Sequence, residues 1–98
     1  MQINISTRHG NLSETARERI TEKVEKLGRL VERVNKIEVT VELEKADIPE
    51  VDLLVTTELK KEFKATHTSE SLYGSLDQVI DKVEAQMRKF KEKLTDHR

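Results

Sequence analysis

The chain has 98 residues, enough for one domain, and an apolar fraction of 35 % against 38 % charged residues predicts a thin, mostly aliphatic core. The absence of Cys excludes disulfides, zinc–thiolate sites and thiol nucleophiles, and a net charge of −1 gives no global attraction to nucleic acid. No apolar run is long enough to span a membrane and the N-terminal residues have no signal-peptide core, so we expect a cytoplasmic protein.

The first third of the chain predicts a strand, a turn and a long helix. Residues 2–8 alternate between apolar and polar side chains, as in a strand with one buried face. Residues 9–11 are typical of a turn, and Ser13 is placed to cap a helix. Apolar side chains then recur at steps of three and four over residues 16–34, which predicts an amphipathic helix of about six turns. Gly28 inside it costs about 1 kcal/mol relative to Ala and indicates close packing or a bend.

Three further segments, 37–44, 51–57 and 63–68, alternate in the same way and predict strands. A loop with the only proline separates the first two, and a hairpin turn near Lys60-Lys61 separates the last two. Polar residues after the last strand supply a cap for a second helix.

The second helix is predicted from Leu72 to Leu94, the longest stretch with an unbroken helical period. One helix face collects the apolar residues Leu72, Leu76, Val79, Ile80, Val83, Met87, Phe90 and Leu94. A mostly cationic row runs beside this face, at Lys82, Gln86, Lys89 and Lys93.

These elements predict an α+β fold in the order βαβββα. Because every strand alternates, the sheet has one wet face, and both helices must cover the other. The crossover through the first helix places the first strand parallel beside the second, and two hairpins complete a four-stranded mixed sheet with parallel helices on one face. We expect residues 1–94 to form the single domain and residues 95–98 a short polar tail.

Charge is unevenly distributed along the chain. Residues 14–36 contain seven Lys or Arg against five Asp or Glu, residues 79–98 contain six against four, and residues 37–68 contain four against eight. The first helix carries its own cationic row, which falls within about 80° of arc and lies in the same rotational sense as the row on the second helix. We therefore expect a ridged basic surface on the helices and an acidic outer face on the sheet. The first row consists of Arg19, Lys23, Lys26 and Arg33, and the outer sheet face carries Glu38, Glu42 and Glu44.

Two interpretations of the basic rows stay open from the pattern alone. Lys and Arg often flank an apolar helix face because their stems cover its edge. A surface that binds a polyanion explains the rows equally well. No aromatic residues placed for base stacking occur on the strands, so such a surface would recognise the backbone and shape of RNA.

The sequence favours a binding protein over an enzyme. The three His have no metal-ligand spacing, the three Gly are far apart and form no phosphate-binding loop, and no Ser lies in a nucleophile-elbow context. We expect no catalytic residue, metal, cofactor or small-molecule substrate.

A specific motif occurs at the start of the second helix. The pattern Tyr-x-x-(Ile/Leu)-Asp-x-x-Ile-Asp-Lys is matched by Tyr73, Leu76, Asp77, Ile80, Asp81 and Lys82. With the opening MQINIS, the paired Lys23 and Lys26 and the order of elements, it resembles the ribosome hibernation-promoting factor family, which includes the ribosome-associated inhibitor called protein Y. The similarity covers essentially the whole chain.

The resemblance implies a fold with the layout of double-stranded-RNA-binding domains and a bacterial stress-response factor that regulates translation. Such a factor would bind the small ribosomal subunit and its 16S rRNA at the decoding channel, block messenger and transfer RNA sterically, and be monomeric off the ribosome. The residues expected to bind RNA are Arg19, Lys23, Lys26, Arg33, Lys82, Gln86, Arg88, Lys89, Lys91 and Lys93, and the motif residues Tyr73 and Asp77 would be structural or contact RNA.

Three departures from the family pattern bear on this expectation. Gly74 and Ser75 replace two alanines, which weakens the first turn of the second helix. Ala85 stands where a basic residue is common, so the RNA-facing set is smaller. The chain stops at Arg98, whereas long members continue into a linker and a dimerisation domain, so it is either a short member or part of a long one.

The alternative function is a protein-binding regulator, for example a transcription-factor modulator, that acts through the acidic sheet face. It predicts that charge reversal at Glu38 and Glu42 has more effect than reversal on the helices.

Overall fold

A computed structural model describes residues 1–30 and 34–95 of the protein and confirms the predicted order of elements. The elements are β1 (Gln2–Arg8), α1 (Glu14–Glu25), a 3₁₀ turn (Lys26–Arg29), β2 (Val34–Glu42), β3 (Glu50–Thr57), β4 (Glu62–Thr68) and α2 (Leu72–Thr95).

The four strands form one mixed sheet in the spatial order β1-β2-β3-β4, as predicted. β1 runs parallel to β2, with Ile3 opposite Ile37, and the other two pairings are antiparallel. Inward residues align across the sheet, with Val39 opposite Leu53 and Leu53 opposite Ala65. Because side chains alternate between the two faces, this register gathers the apolar residues on one face.

Both helices pack on that apolar face. Ile20 of α1 and Val83 and Met87 of α2 are fully buried, and they belong to a single hydrophobic cluster with the inward residues of β2, β3 and β4. Ile3 and Ile5 of the edge strand β1 are half-buried against the same cluster. No helix in the described ranges is both long and apolar enough to cross a membrane.

The two helices run in the same direction, as the count of chain reversals predicted. Arg19 of α1 lies over the ring of Tyr73, and Lys23 pairs with Asp77. One turn forward along α1 therefore corresponds to one turn forward along α2.

The first helix is much shorter than the predicted six turns. α1 ends at Glu25, the chain tightens into the 3₁₀ turn, and Val34 is the first residue of β2. The prediction was wrong because a register irregularity between Val34 and Lys36 leaves both Val34 and Ile37 buried, three positions apart in a strand. A bulge of this kind imitates helical spacing. Residues 31–33, which the sequence placed in the helix, lie outside the described part of the chain.

Gly28 lies in the 3₁₀ turn, so it occurs where the regular α-helix has already ended. A Cβ at this position would meet the side chain of Met1. Gly28 therefore lies at a point of close packing, one of the two alternatives that the sequence indicated, and in a turn that the sequence did not predict.

Both α-helices begin at a serine cap. Ser13 Oγ accepts a hydrogen bond from the Ala16 N–H at 3.1 Å, and Ser71 Oγ accepts one from the Gly74 N–H at 2.9 Å. A Cβ on Gly74 would lie 3.1 Å from Cβ and Oγ of Ser71, tighter than ordinary contact. Glycine at this position thus leaves room for the capping hydroxyl, an advantage that offsets its low helix propensity.

Ser75 is a fully buried polar residue in the first turn of α2. Its hydroxyl lies 2.6 Å from Ser69 Oγ and 3.2 Å from Nδ1 of His67, at the end of β4. These hydrogen bonds satisfy the buried hydroxyl and join the last strand to the helix that follows it. At its other end, α2 includes Thr95, and residues 96–98 of the predicted tail lie outside the described ranges.

Candidate nucleic-acid interface

Two cations of α1, Arg19 and Lys23, lie at the side of the helix that faces α2. The Arg19 guanidinium carbon is 4.4 Å from the centroid of the Tyr73 ring, a cation–π distance. Lys23 Nζ is 2.9 Å from Asp77 Oδ1, and the Lys23 side chain is 31% exposed. Both motif residues of α2 therefore have structural partners on α1, and the Asp77 carboxylate offsets part of the charge of this row.

The other two residues predicted for this row are placed differently. Lys26 is exposed at the start of the 3₁₀ turn. Arg33 lies outside the described residues. We use "the α1 row" below for Arg19, Lys23 and Lys26 alone.

Lys82, Gln86, Lys89 and Lys93, called the α2 row below, lie on the opposite flank of α2, above the free edge of β4. Gln86 locates this flank, because its side chain bonds the backbone of Lys64 in β4. Its Oε1 accepts from the Lys64 N–H at 3.2 Å, and its Nε2 donates to the Lys64 carbonyl at 2.9 Å. Gln86 thus acts as a one-residue strand partner for an edge strand.

A recess lies between the C-terminal half of α2 and the start of β4. It has a volume of about 230 Å³. Phe63 and Phe90 meet there edge to face, with ring centroids 5.6 Å apart. The recess is lined by Lys61, Glu62, Phe63, Gln86, Lys89, Phe90 and Lys93.

Lys61 reaches the recess from the turn between β3 and β4. Lys60 adopts a left-handed conformation with φ of 62°, which turns the chain. The buried Thr57 then fixes Lys61 through its N–H, which donates to the Lys61 carbonyl at 3.0 Å, and through its hydroxyl at 3.2 Å. Lys61 Nζ lies 5.8 Å from the Phe63 ring centroid and 5.9 Å from that of Phe90. The sequence noted Lys61 only as a turn residue, since nothing local shows that it meets α2.

Arg88 and Lys91 do not share the flank of the α2 row. Arg88 Nε lies 3.6 Å from Glu84 Oε2 in an i,i+4 ion pair. Lys91 is exposed about half a turn around the helix from Lys82. The structure therefore brings Lys89 and Lys93 together with Lys61, and it separates them from Arg88 and Lys91.

The two rows point in the same rotational sense, but α2 lies between them. The α1 row borders the groove between the helices, whereas the α2 row borders the β4 edge. A ligand that touches both rows has to cross the outer surface of α2, where Ala85 is exposed. The geometry suits an extended polyanion that lies across the helix layer more than a small anion.

The outer sheet face contains paired charges. Lys36 Nζ lies 3.3 Å from Glu38 Oε1, and Thr66 Oγ1 donates to Asp52 at 2.5 Å. Two carboxylates of the outer face therefore already have partners within the sheet.

At the end of this face, His9 Nδ1 lies 2.7 Å from Glu42 Oε2. Their hydrogen bond raises the pKa of His9 above its ordinary value of 6.5 and lowers the pKa of Glu42 below 4.5. Within the described ranges, His9, Glu42 and Glu44 form a set whose potential metal-ligand atoms lie within 4.8 Å of one another. The His9–Glu42 bond, together with a hydrogen bond from the Glu44 N–H to Glu42 Oε2 at 3.3 Å, accounts for this closeness without an ion.

Residues 3–95 match the family model described as Sigma 54 modulation protein / S30EA ribosomal protein. The ribosome hibernation promoting factor of Salmonella typhimurium is 33% identical over 98 residues, covering 99% of this chain and 100% of its own length. That of Escherichia coli K12 is 32% identical with the same coverage.

Two solved structures have a fold similar to that of this chain. The Thermus thermophilus Protein Y N-terminal domain has a TM-score of 0.80 at 19% identity, over 92% of this chain and 99% of its own, a likeness in fold. A ribosomal subunit interface protein from Coxiella burnetii has a TM-score of 0.77 at 26% identity, over 94% and 99%. The chain belongs to the Sigma 54 modulation protein / S30EA ribosomal protein family, whose model matches residues 3–95.

Proposed function

We propose that this protein is a ribosome hibernation factor that binds the small ribosomal subunit and blocks messenger and transfer RNA at the decoding channel. Family membership over residues 3–95 is the observation that carries the proposal. The full-length relatives named ribosome hibernation promoting factors support the biological role. A factor of this kind acts by occupying its binding site and catalyses no reaction. It would act in the cytoplasm, where bacterial ribosomes are.

The exposed cations of the helix layer are the proposed contacts to 16S rRNA. Lys82, Lys89 and Lys93 are exposed, and Lys89 and Lys93 form no ion pair with the described residues. Such side chains can contact phosphates without first breaking an internal salt bridge. Gln86 has a smaller role in this proposal, because both ends of its amide are used within the protein.

Co-sedimentation with purified small subunits tests the proposal. We expect binding at low salt that falls steeply as salt rises, since each phosphate contact releases counterions. The double substitution Lys82→Glu, Lys89→Glu should lower affinity by about tenfold or more, because it turns two attractions into repulsions. Unchanged binding by this variant would remove the α2 row from the interface.

Glu38→Lys, Glu42→Lys provides the matched control, since it reverses two charges on the opposite side of the molecule. The proposal expects little loss of subunit binding in this variant. Suppose that this sheet variant abolished the effect of the protein in cells while the Lys82→Glu, Lys89→Glu variant kept it. The protein would then be a regulator that binds another protein through its sheet face. Inhibition of translation initiation by the wild type, relieved by excess messenger RNA, would support steric occlusion.

A further inference from the structure

We propose that the recess between α2 and β4 holds one unstacked nucleotide of single-stranded RNA, with the base against Phe90 and a flanking phosphate near Lys61, Lys89 and Lys93. The inference deepens the proposed function, on which it rests, by naming a contact that the cationic rows alone do not provide.

The chemistry of the lining favours a nucleotide over a simple anion or an apolar group. The inner wall is aromatic, with a fully packed Phe63 and a half-buried Phe90 at a ring angle of 68°. Three lysines, Gln86 and one carboxylate, Glu62, form the rest of the lining, so its net charge is positive. An aromatic surface next to cations is the combination that binds unpaired bases together with their phosphates.

The dimensions agree with one nucleotide. A volume of about 230 Å³ is enough for a base with part of its ribose. Lys89 and Lys93 lie one helical turn apart on the same flank, about 6 Å along the axis, so successive phosphates can approach both.

Continuity with the α2 row favours RNA over a free nucleotide. The recess shares Gln86, Lys89 and Lys93 with the row, and Lys82 continues it away from the recess. A strand that follows the row with its phosphates therefore ends at the aromatic wall. The Gln86 amide is bonded to Lys64, so it offers little discrimination between bases, and we expect tolerance of base identity.

Fluorescently labelled hexauridylate and a hexamer of abasic ribose phosphates, which carry the same charge, test the proposal with the full chain. The wild type should bind hexauridylate about fivefold or more tightly than the abasic oligomer, since base–aromatic stacking supplies the difference. Phe90→Leu should reduce this ratio to near one and leave affinity for the abasic oligomer unchanged. Lys61→Met should weaken both oligomers, whereas Lys45→Met, in the loop at the other end of the sheet, should weaken neither.

Equal affinity of the wild type for the two oligomers would overturn the proposal, and so would a base preference that survives in Phe90→Leu. Uridine monophosphate that competes as well as the oligomer would make the recess a free-nucleotide site and overturn the assignment to RNA. If Phe90→Leu is unstable in thermal melts, the oligomer ratio of Lys61→Ala, Lys93→Ala decides. That ratio should stay above one while both affinities fall, and a ratio of one would contradict the assignment of the base to the aromatic wall.

The oligomer assay contains no ribosome, so it separates the two proposals. A wild type that discriminates between the oligomers but does not bind small subunits would contradict the proposed function alone. A wild type that binds small subunits without any base preference would contradict the recess alone.

Discussion

At the scale of single residues, the His9–Glu42 bond is the clearest electrostatic contact in the described part of the chain. The pKa of His9 is raised first by its hydrogen bond to the Glu42 carboxylate and then by the charge of that carboxylate; Glu44 adds to the rise and Arg8 opposes it. The pKa of Glu42 is lowered mainly by the same hydrogen bond. The pair links the end of β1 to the end of β2, beside the turn where His9 itself has a positive φ of 58°.

The His9–Glu42 pair should contribute most to the stability of the fold between about pH 4.5 and 6.5. The raised pKa of His9 means that its contribution is fully present below 6.5 and is lost as pH rises through the raised value. The lowered pKa of Glu42 means that its contribution is present above 4.5 and is lost as pH falls through the lowered value.

NMR titration of the His9 ring checks this directly. We expect a midpoint above 6.5 in the wild type and a lower midpoint in Glu42→Gln, because the acceptor carboxylate is gone. Glu50→Gln, the control, removes one negative charge at the same end of the sheet without touching His9. An unchanged His9 midpoint in Glu42→Gln would show that the pair does not form in solution.

Between elements, the Lys23–Asp77 pair joins α1 to α2. Asp77 is 55% exposed, so the ion pair should stabilise the fold by no more than about 1 kcal/mol. Asp77→Asn should therefore lower the urea midpoint only slightly. It should also raise small-subunit affinity, because Lys23 loses an internal partner and the groove loses a negative charge.

Asp81→Asn is the matched control for that prediction, since it removes the same charge from an exposed position on the same helix. Equal affinity gains in Asp77→Asn and Asp81→Asn would mean that net charge alone, and not the release of Lys23, sets the effect.

Gln86 protects the free edge of β4, and this role separates it from its lysine neighbours. Gln86→Ala should expose the Lys64 backbone to water. The loss of these hydrogen bonds should lower the free energy of unfolding by about 0.5–1.5 kcal/mol at most. Amide hydrogen exchange should show faster exchange at Lys64 with little change at Val55, inside β3. Small-subunit affinity should change less than in Lys89→Ala, and a larger loss in Gln86→Ala would return Gln86 to the RNA-binding set.

The strand faces and the second helix could be predicted because their signals are local. Alternation assigned the buried faces of β2, β3 and β4, and a continuous apolar period assigned α2. The first helix was overextended because the bulge before Ile37 reproduced a helical step. Local pattern alone cannot distinguish that case, since a bulge is defined by the pairing of two strands.

The positions of the cations on each helix could be predicted, but the partners of their side chains could not. Lys23 meets Asp77 across 54 positions of sequence, and Gln86 meets Lys64 across 22. Helical periodicity places the rows on their own helices, whereas the partners come from tertiary packing. For the same reason the sequence showed no connection between Lys61 and the aromatic pair of Phe63 and Phe90.

On the scale of the whole molecule, exposed cations form rows on the helices although the net charge is −1. The helices also carry carboxylates, since α1 and α2 together contain eight basic and eight acidic residues. The rows can still approach a polyanion, because local potential and not net charge controls binding. Ala85 leaves an uncharged position between the α1 row and the α2 row. It lies on the outer surface of α2, almost opposite the buried face of that helix.

Ala85→Lys should therefore strengthen binding to the small subunit. A lysine here adds a phosphate contact between the two rows, so the plot of log affinity against log salt concentration should become steeper by about 0.7–0.9. Because Ala85 is exposed on a helix, the substitution should leave the unfolding midpoint nearly unchanged.

Ala46→Lys makes the same chemical change at an exposed loop position between β2 and β3, on the far end of the sheet. If the RNA lies across the helix layer, only Ala85→Lys steepens the salt dependence. Equal steepening by both would mean that binding responds to total charge, and the outer surface of α2 would not be the contact.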